Sequence, residues 1–130
     1  MQAVRERLYG ELLDPSQVDA LDVVMAEGAC RMRRLAEALR VDASTATRAV
    51  DRLERAGLVA REPAGEDGRA VVVRPTTAGR ALHGRLMARR RAMLLEVLAQ
   101  FDPAERELLA DLLERLVAGV DRYAAGSRPG

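Results

Sequence analysis

Aromatic residues are scarce: there is no tryptophan, one phenylalanine and two tyrosines among 130 residues. That scarcity excludes the stacking platforms by which many proteins hold single-stranded nucleic acid. It also leaves Leu, Val, Ala and Met to build the core, as in helix-rich proteins. One cysteine, Cys30, and one histidine, His83, argue against a disulfide framework and an ordinary zinc site, and no cofactor is expected. Lysine, isoleucine and asparagine are absent, so every basic residue is arginine. No run approaches the roughly 18 apolar residues of a membrane span, and Arg5, Glu6 and Arg7 interrupt the start where a signal peptide would be apolar. A reducing cytoplasm is the expected setting, with no membrane partner. No nucleophile–base pair, metal cluster, Walker-type loop or dinucleotide glycine pattern is present in the sequence, so an enzyme is not expected.

What remains is 48% hydrophobic and 32% charged, enough for one ordinary domain, or a small domain with an accessory helical element. The net charge of +1 conceals an asymmetry. Residues 31–91 hold 15 arginines against 7 acidic residues, while the two flanks hold 6 against 13. A basic centre between acidic ends suits a polyanion, although an arginine-rich solvated surface has the same composition.

Apolar spacing divides the chain further. Val4, Leu8, Leu12 and Leu13 suggest a short first helix closed by Asp14-Pro15. A second helix, capped by Ser16 or Asp14, places Val18, Leu21, Val24 and Met25 on one face and stops at Gly28. A third uses Met32, Leu35, Ala36 and Leu39. After the connector Arg40-Val41-Asp42, a fourth is capped by Asp42 or Ser44 and buries Ala46, Ala49, Val50 and Leu53 until Gly57 ends it. Two such helices joined by a short turn predict a helix-turn-helix, the second helix presenting Thr45, Arg48, Arg52 and Arg55 away from the core.

Leu58–Arg61 and Ala70–Arg74 read as strands flanking a Gly- and Pro-rich tip, which makes a hairpin wing. Beyond Pro75, Thr76 or Thr77 caps a long helix to about Gln100. Asp102-Pro103 breaks it, and a final helix runs from about Ala104 to Tyr123. Its Leu108, Leu109, Leu112, Leu113, Leu116, Val117 and Val120 form a broad apolar face, and these last two helices cannot both hide such faces on so small a domain. Self-association would bury that face; an intramolecular helical hairpin against the first helix is the alternative.

The run from Leu13 to Glu62, followed by EDGRAVVVRPTTAGRAL, resembles the MarR family of transcriptional regulators. The resemblance is carried by STATRAVDRLERAGLV in the recognition helix, Asp67-Gly68-Arg69 with Val73 and Thr76 in the wing, and TTAGRAL opening the long helix. Pro75 stands where the family usually has Leu. The resemblance implies a mainly α fold with a small β-hairpin wing, a winged helix-turn-helix plus a helical dimerisation region, in a homodimer of triangular shape. Residues 1–15 and 100–124 would supply the dimerisation helices, 16–75 the DNA-binding domain, 76–99 the linking helix and 125–130 a flexible tail.

Such a dimer is expected to bind double-stranded DNA at a pseudo-palindromic operator of roughly 16–20 bp. Occupancy of the operator would repress transcription, and a small-molecule effector in the cleft between winged and dimerisation regions would lower affinity. Ser44, Thr45 and Thr47 are placed to donate to phosphates or base edges near a helix N-terminus whose dipole favours phosphate. Arg48 is the candidate for two hydrogen bonds to guanine. Arg52 has three readings: base contact, phosphate contact, or an ion pair with Asp51 or Glu54 on its own helix, and Arg55 shares the last. Arg69 resembles the family's wing-tip arginine of the minor groove, braced by Asp67. Arg33, with Arg31 and Arg34, is a candidate phosphate contact; Arg61 and Arg74 are weaker ones.

Cys30 is expected in the turn entering the third helix, buried and inert, though nearby arginines could lower its pKa. His83 is read as a solvated or core residue rather than a switch, and Arg89, Arg90 and Arg91 as mainly solvated. Tyr9 and Tyr123 are expected at the dimer interface. The rival to DNA binding is a winged-helix protein-interaction module, which would have lost Arg48, Arg52 and Arg69.

Overall fold

The computed structural model describes residues 2–65, 68 and 70–126. Among them the order is α1 (Gln2–Tyr9), α2 (Pro15–Glu27), β1 (Cys30–Arg31), α3 (Met32–Leu39), α4 (Ala43–Arg55), β2 (Val59–Ala64), β3 (Ala70–Pro75), α5 (Thr77–Leu98) and α6 (Pro103–Gly126). Two compact units result, Met1–Arg90 and Arg91–Gly130, with the boundary inside α5.

In the first unit, α2, α3 and α4 enclose a core whose fully buried side chains include Val18, Leu21, Val24, Leu35, Val50 and Leu53. Asp14, not Ser16, caps α2: Gln17 N donates to Asp14 Oδ1 at 3.1 Å, and Asp14 N donates back to Gln17 Oε1 at 3.3 Å. Pro15 follows at the first helical position, where its missing N–H costs nothing. Asp42 caps α4 by accepting from Thr45 N at 2.7 Å. The turn between α3 and α4 puts Arg40 at φ 57, a left-handed conformation that costs a residue with a Cβ roughly 1–2 kcal/mol. Here the tight connection, rather than local preference, sets the backbone.

The sheet is antiparallel in the order β1-β3-β2. Only the last two strands are legible in the sequence. β1 is two residues long, too short to show alternation, and exists because Cys30 and Arg31 pair with Val73 and Val72. Cys30, expected in a turn, therefore lies buried in a strand. β2 runs on to Ala64, past Pro63, which an edge strand tolerates because one side of its backbone needs no partner.

Thr76 joins wing to helix. Its N–H donates to Leu58 O at 3.0 Å, its hydroxyl donates to Gly57 O at 2.6 Å, and the same oxygen accepts from Gly79 N at 3.0 Å. Thr76 is thus the cap of α5, and α5 starts hard against the loop that ends α4. Gly79 allows that approach, since a Cβ there would sit 1.9 Å from Leu58 O.

Tyr9, expected at a subunit interface, is only 6% exposed and belongs to the core of the first unit with Leu13. In the second unit, Asp102-Pro103 both ends one helix and starts the next. Glu105 N donates to Asp102 Oδ1 at 2.9 Å and Asp102 N donates to Glu105 Oε1 at 3.0 Å, a reciprocal cap. The helix so begun extends to Gly126, into the segment expected as tail; residues 127–130 lie outside the described residues. α6 buries no residue: Leu108, Leu112, Leu113, Leu116, Val117 and Val120 are all exposed, Leu116 by 62%. Among the described residues no helix is long and apolar enough to cross a membrane.

Replacing Gly79 by Ala should lower stability by about 3 kcal/mol, because the added methyl meets rigid backbone rather than a side chain able to move. Urea unfolding would show it as a lower midpoint with an unchanged slope.

Candidate nucleic-acid interface

The amphipathic pattern of α4 buries Ala46, Ala49, Val50 and Leu53 and turns its polar residues outward. Ser44, Thr45, Thr47 and Arg48 share its first turns. The Ser44 hydroxyl donates to Asp42 Oδ1 at 2.7 Å, Thr47 donates to Ala43 O at 2.8 Å, and Arg48 Nη2 makes a long 3.4 Å contact to the Ser44 hydroxyl. The end of α4 expected to attract phosphate thus already holds the Asp42 carboxylate. Hydrogen bonds from Ser44 and Thr45 lower its pKa from 3.8 to about 2, so it is anionic at neutral pH.

Neither acidic residue of α4 pairs with an arginine of its own helix. Arg61, on β2, takes both: Nη2 lies 2.6 Å from Asp51 Oδ1 and Nη1 2.8 Å from Glu54 Oε1. Burial works against the Arg61 cation, but these two carboxylates outweigh it and raise its pKa. Arg61 is consequently a brace between wing and recognition helix. Arg55 has no ion pair among the described residues. Arg52 reaches across 38 positions to Asp14, Nη1 to Oδ2 at 3.1 Å. Burial raises the Asp14 pKa, but hydrogen bonds from Ser16 and Gln17 and the Arg52 charge lower it more.

Arg33 is largely exposed and only 3.6 Å from Glu37, Arg34 pairs with Glu27 at 2.9 Å, and Arg74 pairs with Glu62 at 2.6 Å. An open groove of about 450 Å³ lies between α3 and the start of α4, with Met32, Ala36, Val41 and Thr47 among its lining. Arg69 and Asp67 lie outside the described residues. Among those described, no group of three or more His, Cys, Asp or Glu side chains could hold a metal ion.

Residues 13–70 match the family model described as MarR family. An uncharacterised HTH-type transcriptional regulator of Mycobacterium bovis is 34% identical over 106 residues, covering 82% of this chain and 74% of the relative. The chain belongs to the MarR family. Two solved structures are similar: a mutant of MarR from E. coli has a TM-score of 0.77 at 26% identity, covering 89% of this chain and 86% of the other. BpsR of Bordetella bronchiseptica has a TM-score of 0.64 at 25% identity, covering 88% and 83%. This MarR-family chain is a transcriptional regulator with a winged-helix fold, and its relatives are regulators rather than enzymes.

One cluster of this MarR-family member departs from what its sequence suggests. Arg90, expected in solvent, grips Asp22 with two hydrogen bonds of 3.1 and 2.7 Å, donates to the Tyr9 hydroxyl, and lies 5.1 Å over the Tyr9 ring. The Asp22 hydrogen bonds are the main reason its pKa is raised. His83 Nε2 contacts the same carboxylate at 2.9 Å, and Arg89 donates to Leu8 O at 3.0 Å. These residues tie α1 and α2 to α5, over sequence distances that local spacing does not reveal. Cys30 is buried and unreactive as expected: burial, then Glu27, push its thiol up to about 11, against the lowering effect of Arg34.

Cys30 should therefore react with a thiol reagent at least about a hundredfold more slowly in the native chain than in the unfolded one, since its thiolate fraction is lower and its sulfur is buried. Stopped-flow labelling with and without denaturant measures this ratio. The Asp42 cap should show in acid. Its folded pKa lies below the unfolded value, so the ionised carboxylate stabilises fully above about pH 4 and is lost as pH falls through about 2. Asn caps comparably without titrating. The melting temperature of wild type relative to Asp42→Asn should accordingly fall from pH 5 to pH 2.

Proposed function

We propose that the chain is a homodimeric repressor that binds a pseudo-palindromic double-stranded operator with α4 in the major groove. The observation that carries this reading is the engagement of both Asp51 and Glu54 by Arg61, whose single positive charge offsets half of theirs. With those carboxylates paired, Arg48 and Arg55 give the outer side of α4 an excess of positive charge, as phosphate attraction requires. Arg48, whose contact to Ser44 is long, is the base reader, and its planar fork suits guanine O6 and N7. Ser44, Thr45, Thr47 and Arg33 contribute nearby polar contacts. Arg69 is assigned to the minor groove, with Asp67 bracing it, from their place in the wing sequence.

The dimer is supported by the exposed apolar stripe of α6. Each half-exposed leucine leaves on the order of 1 kcal/mol of burial unrealised, and a second copy of the same stripe is the matching cover. An effector is proposed by analogy with BpsR, whose DNA binding is regulated by 6-hydroxynicotinic acid. The same contacts on DNA in the cytoplasm would block polymerase when the operator overlaps a promoter.

Selection from a random duplex pool, repeated across salt, tests the reading. A two-fold symmetric site of roughly 16–20 bp is expected, bound by a species of twice 14.2 kDa. Arg48→Ala should cost about 1–3 kcal/mol and relax preference at one base pair in each half-site. A strictly monomeric chain at micromolar concentration, or indifference to duplex sequence, would overturn it.

A further inference from the structure

We infer that Asp14 is an internal competitor for Arg52, holding a recognition-helix arginine away from DNA until a phosphate displaces it. The inference rests on the DNA-binding reading above. Arg52 stands on the outward row of α4 with its side chain 58% exposed, yet its one ion pair among the described residues is to Asp14, itself 41% exposed. The carboxylate is divided between two tasks. Oδ1 accepts from Gln17 N and the Ser16 hydroxyl and so holds the start of α2, while Oδ2 meets Arg52 Nη1. Arg5, on α1, is spent on Asp19 at 2.7 Å and Pro15 O at 3.1 Å, and no other described cation is ion-paired to Asp14.

Two consequences follow for a phosphate arriving at Arg52. The paired arginine presents almost no net charge, so it releases no counterion from the duplex. The Asp14 carboxylate also lies one guanidinium away from the incoming phosphate and repels it. An exposed pair joined through a single nitrogen is weak enough to be exchanged, which makes Asp14 an attenuator and not a block. Its cap function is separable from its charge, because Asn and Ser satisfy an N-cap as well as Asp does.

The test is a double-mutant cycle on the full-length chain, with binding to the selected duplex measured as a function of salt for wild type, Asp14→Asn, Arg52→Gln and the double variant. Circular dichroism establishes that each is folded, and Asp14→Ser provides a second neutral cap. Asp14→Asn should bind about two- to fivefold more tightly per protomer, with a salt slope steeper by about 0.9 per protomer. Both gains should vanish in the Arg52→Gln background. Unchanged affinity and slope in Asp14→Asn, or an equal gain with Arg52 absent, would overturn the inference while leaving DNA binding intact. A wild type that binds no duplex would overturn both.

Discussion

Arg61 holds together the parts on which the regulator depends. It stands on β2, yet its guanidinium spans Asp51 and Glu54, one turn apart on α4. At 25% side-chain exposure it is drier than the other arginines of the face, so its charge-assisted hydrogen bonds are less screened than those of a surface pair. The same contact fixes the wing strand to the helix and offsets one of two negative charges on a surface meant for a polyanion. Without it, α4 would present as many acidic as basic residues in its last two turns.

A second constraint works through backbone rather than charge. The end of α4, the start of β2 and the start of α5 meet around Gly57, Leu58, Thr76 and Gly79, where one threonine hydroxyl serves as donor and acceptor at once. Because Gly79 rests against the Leu58 carbonyl, the direction in which the long helix leaves the winged domain is set by contact between backbones. The Arg90–Asp22–Tyr9 cluster then fastens the later turns of that helix within the first unit to α2 and α1.

Much of this was legible beforehand. The helix-turn-helix pattern appears in Ala46, Ala49, Val50 and Leu53, which recur at helical spacing, and in Gly28 and Gly57, which adopt the positive φ that ends a helix. The wing appears in Val71–Val73, and the family resemblance in the residues around Arg48. The two-residue strand at Cys30 was hidden, since a bridge so short has no period of its own. Tyr9 was misread because an aromatic near a terminus looks the same in sequence whether it faces a partner or a core.

Local periodicity, caps and turn residues are properties of neighbours in the chain, and from them the sequence alone determined the order of the helices and wing strands, the recognition helix and its arginines. Which of those arginines stand free was decided only by the tertiary structure. Arg52 met Asp14, Arg61 met Asp51 and Glu54, and Arg90 met Asp22, across as many as 68 positions. Charges pair according to distance in space, and folding sets that distance by packing apolar faces that carry no information about which acid will lie beside which base.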